Sequence, residues 1–287
     1  MSILLDHVSF QHKDAVGTDE YALKDINLEI KNGEFIGIIG HTGSGKSTLM
    51  QHLNGLEKAT SGTIYYDGED IYAPDYNMRA LRGKVGLVFQ YPEYQLFESS
   101  VIEDVKFGPK NLGLSGLEVD LRSFQALKDV GISEDLLDVS PFQLSGGQKR
   151  KVAIAGVLAM EPEVLILDEP TAGLDPCGRE EILTLIQSLR EKKNCTIILV
   201  SHSMEDVANY VERLLVMYEG RILLDGTPRQ IFQHQEELER IGLTTPQVTR
   251  VMAKLKKAGL VQDASAINVQ EAKEQILYAL GRERIQR

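Results

Sequence analysis

The strongest constraint in this sequence is a glycine-rich turn that lies between an apolar segment and a helical segment. The apolar segment, Phe35–Ile39, is typical of a strand that is buried on both faces. The turn, Gly40–Ser47, reads Gly-His-Thr-Gly-Ser-Gly-Lys-Ser, and a predicted helix runs from Lys46 to Leu56. Glycines let the backbone curl so that several N–H groups point at one anion, and the helix adds the positive end of its dipole. This order predicts a phosphate-binding loop, which we call the P-loop.

Two side chains of the P-loop have predicted roles in binding Mg-ATP. Lys46 supplies a cation for the β- and γ-phosphates, and the Ser47 hydroxyl is a ligand for Mg²⁺. We expect the Lys46 side chain to be exposed before the nucleotide binds. A P-loop alone does not separate kinases, GTPases and ATPases. The residues predicted to contact the nucleotide are Gly40, His41, Thr42, Gly43, Ser44, Gly45, Lys46, Ser47 and Thr48.

Two adjacent carboxylates follow a second apolar segment. Val164–Leu167 predicts a buried strand, and Asp168 and Glu169 stand at its end. Side chains alternate along a strand, so neighbouring acids leave its end in different directions. We assign Asp168 to the Mg²⁺ shell and Glu169 to the general base that deprotonates the water attacking the γ-phosphate. The alternative is an acidic cap of a strand, which the preceding P-loop disfavours.

The remaining segments predict an α/β fold with a helical insertion and a helical C-terminal part. Val85–Phe89 and Thr196–Val200 are typical of further buried strands. Alternation of strands with helices predicts a parallel sheet that is covered by helices. Glu180–Lys192 predicts an amphipathic helix between two of the strands. No strand pattern follows Pro228, and the first of three helices predicted there runs from Gln230 to Ile241. The predicted units are a nucleotide-binding domain at residues 1–232, a helical subdomain within it at about 91–162, and a helical extension at residues 233–287.

Charge and composition limit the partners of the chain. The 287 residues carry a net charge of −11, which argues against nucleic acid because phosphate backbones favour clustered Lys and Arg. Cys177 and Cys195 lack a metal-ligand spacing, and we expect both to be reduced. No apolar run approaches the ~18 residues that span a bilayer, and the N-terminus lacks the pattern of a signal peptide. We therefore expect a cytoplasmic chain whose membrane role, if it has one, goes through a partner.

A second glycine pair precedes another predicted helix. Leu144–Gln148 reads Leu-Ser-Gly-Gly-Gln, and this helix start can bind an anion, with Ser145 as a hydroxyl donor. The P-loop, this signature loop and the Asp168–Glu169 pair resemble the ABC ATPase family over residues 1 to about 230. The resemblance implies a P-loop NTPase fold of ABC type, in which the signature loop of one subunit covers ATP held by another. The signature residues that it assigns to the nucleotide are Ser145, Gly146, Gly147 and Gln148.

The same resemblance assigns roles to positions that follow predicted strands. Gln90 matches the glutamine that touches magnesium and water and senses a membrane partner. His202 matches the switch histidine that contacts the γ-phosphate, and Gly173–Asp175 matches the loop that crosses a dimer interface. The chain departs from the pattern where an aromatic ring usually stacks on adenine. That position is His12, with Phe10 two residues earlier, and an imidazole can still stack.

Three local segments resemble the ATPases of energy-coupling factor transporters, most of all the second, A-prime, ATPase. They are Gly40–His52, Phe89–Phe97 and Ala153–Ala159, where Gly156 replaces the arginine of most ABC importers. The resemblance implies ATP-driven uptake of vitamins or other micronutrients. It implies three kinds of partner: a paralogous ABC ATPase in a heterodimer, a transmembrane T subunit, and interchangeable membrane S proteins that bind the substrate. The chain would lie on the cytoplasmic side of the cell membrane as a peripheral protein.

Several alternatives stay open at this point. Glu93–Phe97 is expected near a groove for a coupling helix of T, or else forms a packed subdomain edge. The C-terminal helices extend a dimer interface, or else form a solvated bundle. Other functions are the ATPase of another ABC importer, for example for a metal cation, a soluble ABC protein that remodels ribosomes or DNA, and a small-molecule kinase. The acidic charge and single ATPase domain disfavour the remodelling protein, and a kinase would leave Leu144–Gln148 and His202 without a purpose.

Overall fold

The computed structural model describes residues 2–12, 21–193 and 195–281, which form a six-stranded sheet and a four-stranded sheet with helices around them. The strands are β1 (Ser2–Gln11), β2 (Tyr21–Lys31), β3 (Phe35–Ile39), β4 (Ser61–Tyr66), β5 (Glu69–Asp70), β6 (Val85–Val88), β7 (Val164–Asp168), β8 (Thr196–Val200), β9 (Arg213–Tyr218) and β10 (Arg221–Gly226). The helices are α1 (Lys46–Leu53), α2 (Met78–Lys84), α3 (Val101–Leu112), α4 (Gly116–Asp129), α5 (Gly146–Leu158), α6 (Pro176–Lys193), α7 (Met204–Tyr210), α8 (Pro228–Gln233), α9 (Gln235–Arg240), α10 (Gln247–Lys257) and α11 (Val269–Ala279). Short 3₁₀ helices lie at Pro92–Gln95, Glu134–Leu136 and Pro141–Gln143.

The six-stranded sheet determines where the functional residues meet. Its order is β10-β9-β3-β8-β7-β6, and every neighbouring pair is parallel except β10 with β9. The carboxyl ends of β3, β6, β7 and β8 therefore lie at one edge of the sheet. In open α/β sheets this edge is where ligands bind.

The central strands are apolar along their whole length because both faces of the sheet are covered. Every residue of β3, β7 and β8 is buried. Successive side chains of β3 enter different cores, as the pleat requires. Phe35 and Ile39 pack in the core that contains the helical subdomain, whereas Ile36 and Ile38 pack in the core beneath the four-stranded sheet. The buried runs predicted from sequence match these strands.

The four-stranded sheet is antiparallel, in the order β2-β1-β4-β5. Leu5 of β1 stands opposite Leu28 of β2 and Ile64 of β4, and all three are buried. This sheet closes the second core over α1. It also brings the end of β1 near the helix that follows the P-loop, since Phe10 of β1 contacts His52 of α1 with ring centroids 4.6 Å apart.

The helical subdomain contains α3, α4 and α5. The start of α5 is a capping box: the Ser145 hydroxyl accepts from the Gln148 N–H at 3.3 Å, and the Gln148 side chain accepts from the Ser145 N–H at 3.0 Å. Similar reciprocal bonds between Ser115 and Glu118 begin α4. The α/β P-loop fold of ABC type that the sequence predicts is confirmed.

Three predicted helix limits differ from the structure, each for a local reason. The first helix ends at Leu53, because Gly55 has a left-handed backbone (φ 67°) and the Leu56 N–H turns back to the Gln51 carbonyl. The helix predicted to begin at Glu180 begins at Pro176, a residue suited to a first helical position.

The third difference is in the C-terminal part, where the helix predicted over Gln230–Ile241 is interrupted at His234 between α8 and α9. The main core continues through Leu238 and Leu243, and a separate small cluster forms around Met252. The boundary at residues 232/233 stays a prediction, and the last part of the predicted extension, residues 282–287, lies outside the described residues. Within the described ranges, no helix has the length and apolar character that crossing a bilayer requires.

Candidate functional site

The P-loop connects β3 to α1 and depends on two glycines. Gly45 has φ 99°, a left-handed conformation that side chains disfavour, and a Cβ atom there would collide with the Ala22 carbonyl oxygen. At Gly40 a Cβ atom would collide with the Met217 carbonyl oxygen and the Ser44 hydroxyl. The Ser44 hydroxyl is itself buried without a hydrogen-bond partner among the described residues. The loop therefore closes tightly on itself and leaves a polar group unsatisfied inside the cradle.

The Lys46 side chain is buried, with 6% of its surface exposed, so the expectation that it is exposed before nucleotide binds is wrong. Its ammonium folds back into the loop and donates to the Gly40 carbonyl at 2.7 Å and the His41 carbonyl at 2.9 Å. Burial lowers the pKa of Lys46, and the nearby Glu169 and Asp168 carboxylates act in the opposite direction. Two carbonyl oxygens of the loop therefore satisfy this cation.

The end of β7 meets the start of α1 through one hydrogen bond. The Ser47 hydroxyl donates to Asp168 Oδ2 at 2.8 Å. Asp168 is 8% exposed, and this burial raises its pKa, against the lowering effects of the Ser47 hydrogen bond and of Lys46. A hydroxyl and a carboxylate side by side are the oxygen ligands that Mg²⁺ takes together with water and substrate phosphates. The described residues contain no cluster of three or more His, Cys, Asp or Glu side chains that could hold a metal ion.

Glu169 is held by residues from the ends of two other strands. Gln90, two residues after β6, donates its amide N–H to Glu169 Oε2 at 2.9 Å. His202, two residues after β8, places Nε2 at 2.6 Å from Glu169 Oε1. The backbone of Glu169 has φ 51°, in the left-handed region, and its N–H donates to the Val200 carbonyl. The structure thus brings together the three residues that the sequence analysis assigned to catalysis, with both carboxylate oxygens engaged.

The signature loop lies on the helical subdomain and faces outward. Ser145 and Gly146 are exposed, and Gly147 and Gln148 are partly exposed. A Cβ atom added to Gly146 or Gly147 would meet no described atom within 4 Å beyond its chain neighbours and the backbone of its own helix. The Ser145 hydroxyl caps its own helix. Contacts of this loop with a nucleotide stay a prediction.

The predicted adenine contact lies at the end of β1. His12 is exposed, and its ring lies edge-on to that of Phe10, with centroids 4.9 Å apart. Phe10 is enclosed between His12 and the buried His52. His12 is therefore the outer ring of this group and the one with a face toward solvent. Its stacking on adenine stays a prediction.

The outer part of the P-loop is built from polar residues. His41 places Nδ1 at 2.7 Å from the Thr42 carbonyl, and its ring lies edge-on to Tyr218 with centroids 5.3 Å apart. Thr42 and Gly43 are exposed, and Thr48 is partly exposed on the first turn of α1. These positions line the open side of the loop.

Sequence reasoning missed a buried ion pair between Arg150 and Glu93. Arg150 is 2% exposed and makes two hydrogen bonds to the Glu93 carboxylate. Helical spacing could have revealed the burial of Arg150. It lies four and eight residues before the buried Ile154 and Leu158, and therefore on the inner face of α5.

Comparisons with known proteins by family model, by sequence and by structure all find ABC-type ATP-binding proteins. The family model described as ABC transporter matches residues 23–172. The Energy-coupling factor transporter ATP-binding protein EcfA2 of Caldanaerobacter subterraneus is 53% identical over 98% of both chains, and that of Clostridium tetani is 55% identical over 96% of both. The solved structure of cbiO1 from Clostridium perfringens, described as part of the ABC transporter complex cbiONQ, has 42% identity and a TM-score of 0.73, covering 88% of this chain and 98% of that one. A dimeric post-hydrolysis state of the ATP-binding cassette MJ0796, bound to ADP and Pi, has 32% identity and a TM-score of 0.69, covering 79% and 98%.

Proposed function

The chain belongs to the ABC transporter family, and we propose that it is the ATP-binding and ATP-hydrolysing subunit that powers an energy-coupling factor importer. The observation that carries this proposal is the geometry at one edge of the six-stranded sheet. There the P-loop, the Ser47–Asp168 pair and the Gln90–Glu169–His202 group converge from the ends of four strands. Phosphoryl transfer to water needs these parts: a phosphate cradle, ligands for Mg²⁺ and a base.

The proposed roles follow the geometry. The P-loop N–H groups and Lys46 bind the β- and γ-phosphates, and Ser47, Asp168 and Gln90 hold Mg²⁺. The ion supplies charge neutralisation at the phosphates when it is bound. Glu169 accepts the proton of the attacking water, and His202 contacts the γ-phosphate. Because the Gln90 amide N–H already donates to Glu169, its amide oxygen is the atom for the cation.

The site is completed by another subunit in this proposal. The signature residues Ser145, Gly146, Gly147 and Gln148 cover ATP that is held by the P-loop of a paralogous ATPase, and that ATPase covers the nucleotide held here. The outward position of the loop and the dimeric state of the solved cassette that binds ADP and Pi support this arrangement. The exposed His12 stacks on adenine.

The proposed partners lie in the membrane. A transmembrane T subunit docks a coupling helix near Glu93–Phe97, where Tyr94 is 84% exposed and Phe97 is 56% exposed. S proteins that bind vitamins or other micronutrients complete the importer. The chain itself is a peripheral protein on the cytoplasmic side of the cell membrane.

Affinity isolation from membranes tests the proposal. The tagged chain is purified from detergent-solubilised membranes, and the proteins that accompany it are identified by mass spectrometry. We expect a second ABC ATPase, one larger integral membrane protein and small integral membrane proteins. The Glu169→Gln variant should recover the same set, because this change leaves the surface intact. Recovery from the soluble fraction alone, or together with ribosomes, would overturn the proposal.

A further inference from the structure

Arg150 is a charged side chain that is buried between the helical subdomain and the nucleotide-binding core. It projects from α5, the helix that begins at the signature loop, and is 2% exposed. One side of its guanidinium faces the ring of Tyr91, with Cζ 6.0 Å from the ring centroid. A buried charge is tolerated when it is paired and its donors are satisfied, so the partners of Arg150 indicate its role.

Those partners come from two distant segments of the chain. Nε and Nη2 of Arg150 donate to the two carboxylate oxygens of Glu93 at 3.0 and 2.6 Å. Nη1 donates to the backbone carbonyls of Pro170 and Ala172 at 3.0 and 2.7 Å. The planar fork of arginine makes these four bonds at once, which the single ammonium of a lysine cannot reproduce.

The two segments carry residues of the proposed catalytic group. Glu93 lies three residues after Gln90, and Pro170 directly follows Glu169. Gln90 and Glu169 are themselves joined by a hydrogen bond of 2.9 Å. The segments are therefore connected twice, once at the reacting carboxylate and once through Arg150. Two connections prevent the segments from pivoting about either one.

The segment that contains Glu93 also forms part of the outer surface of the protein. Tyr91 is 40% exposed, Tyr94 is 84% exposed and Phe97 is 56% exposed. Glu93 lies among them but turns inward, at 16% exposure, to Arg150. Glu93 is therefore the residue that connects these exposed aromatic side chains to Arg150.

We propose that Arg150 is a positioning residue that transmits a displacement of the 91–97 segment to the loop after Glu169, so that ATP turnover responds to a membrane partner. This inference rests on the proposed function. It requires that loss of Arg150 leaves hydrolysis possible but removes its dependence on the partner. An arginine that only stabilises the fold would affect hydrolysis equally with and without the partner.

The test compares ATP turnover of the chain paired with its paralogous ATPase, without the membrane subunits, with turnover in the whole detergent-solubilised complex. The variants are Arg150→Lys and Glu93→Gln, the second being the milder change because it keeps the size of the side chain. Lys151→Met is the matched control, since Lys151 is the next residue on α5 and pairs with Glu181 on α6 at 2.9 Å. Melting temperature is measured for each variant.

In the parent we expect the complex to hydrolyse ATP faster than the ATPase pair alone, by a factor of about 5–150, the range of coupling between linked sites. In Arg150→Lys and Glu93→Gln this ratio should fall to about one. The double variant should lose no more than either single variant, because the two residues act as a unit. Lys151→Met should keep the parental ratio.

Two results would overturn the inference. The first is a parental turnover ratio in Glu93→Gln, which would assign the Arg150–Glu93 pair to stability alone and leave the proposed function intact. This variant decides the test if Arg150→Lys fails to fold. A parent that forms no membrane complex removes the proposed function and this inference together.

Discussion

The P-loop half and the signature half of the proposed nucleotide site differ in how much of their surroundings the chain itself supplies. In the P-loop half, Lys46 is bonded to loop carbonyls, Ser47 to Asp168, and Glu169 to side chains from two other strands. In the signature half, Ser145 caps its own helix, and a Cβ atom placed on Gly146 would meet no described atom within 4 Å beyond its chain neighbours and its own helix backbone.

This difference suggests separate roles for the two halves: the P-loop half binds the nucleotide, and the signature half completes the site when subunits assemble. The P-loop half has donors and acceptors already aimed at one another, and in the proposed function phosphate and Mg²⁺ take over some of those contacts. The signature half presents backbone outward from the rim of the helical subdomain. Changes in the first half should act on nucleotide binding and chemistry, and changes in the second should act only once subunits have assembled.

The largest effect is expected for Glu169→Gln in the P-loop half. Turnover at the site that Glu169 serves should fall about 10²–10⁴-fold, because a general base is lost, while ATP affinity stays at the parental level. Single-turnover measurements with ATP at this site check the result, since another site in the assembly masks a steady-state loss. Glu163→Gln, just before the other end of β7, is the control and should turn over normally. Parental turnover in Glu169→Gln would remove this residue from the role of base.

Lys46→Ala should have the next largest effect, on binding. Loss of a charge-assisted contact to phosphate should weaken Mg-ATP binding about 10–150-fold, as measured by titration calorimetry. The fold should tolerate the change, because the cost of burying the ammonium is removed along with its two hydrogen bonds. The melting temperature should shift by no more than about 4 °C.

The control for that variant is Lys84→Ala, which removes a half-exposed lysine that pairs with Glu163. It should leave ATP affinity unchanged. Equal affinity in Lys46→Ala and Lys84→Ala would show that the cradle binds phosphate through its backbone alone.

The outward-facing region gives a paired prediction at neighbouring positions. Phe97 is 56% exposed and contacts Phe107 edge-on, whereas Leu96 is 7% exposed in the main core. Phe97→Asp should reduce the yield of the membrane complex more than about tenfold, because an unpaired charge would be buried in the docked state, and should keep the parental melting temperature. Leu96→Asp should lower the melting temperature instead. If Phe97→Asp also melts early, the residue belongs to the core, and full assembly with Phe97→Asp excludes a groove at this position.

Glycine substitutions have the smallest expected effect, and they compare the signature half with the P-loop half directly. Gly146→Ala should melt no lower than the parent, since open space receives the methyl group and alanine favours helix by about 0.5–1 kcal/mol. Its ATP binding should be parental and its turnover in the complex lower by a factor of a few, because the methyl group lies where a second subunit's nucleotide is expected. Gly40→Ala should instead melt lower, owing to the collision with the Met217 carbonyl. Unchanged turnover in Gly146→Ala would show that this face stays open in the assembly.

Much of the fold could be predicted because its signals are local or periodic. The apolar runs at β3, β7 and β8 mark strands that are buried on both faces. Parallel strands end at one edge, so residues directly after them had to converge. The acidic pair at a strand end indicated Glu169, and the family resemblance assigned Gln90 and His202. The structure accounts for their proximity, since all three follow parallel strands and are joined by short contacts.

Other features depend on contacts that no local pattern encodes. The burial of Lys46 depends on hydrogen bonds to the Gly40 and His41 carbonyls, which the folded loop places beside its ammonium. The break at His234 has no glycine or proline beside it, since residues 228–241 contain no glycine and their one proline, Pro228, begins α8. Arg150 stood in a run of three basic residues that resembled a solvated surface, and only its spacing to Ile154 distinguished it from its neighbours.

The two contacts of the Glu169 carboxylate have a consequence for the proposed hydrolysis. A water molecule that Glu169 is to deprotonate must compete with the amide of Gln90 or the imidazole of His202 for a carboxylate oxygen. Under the proposed mechanism one of these contacts must loosen before the water is activated. The rate of hydrolysis would therefore depend on Gln90 and His202 as well as on Glu169.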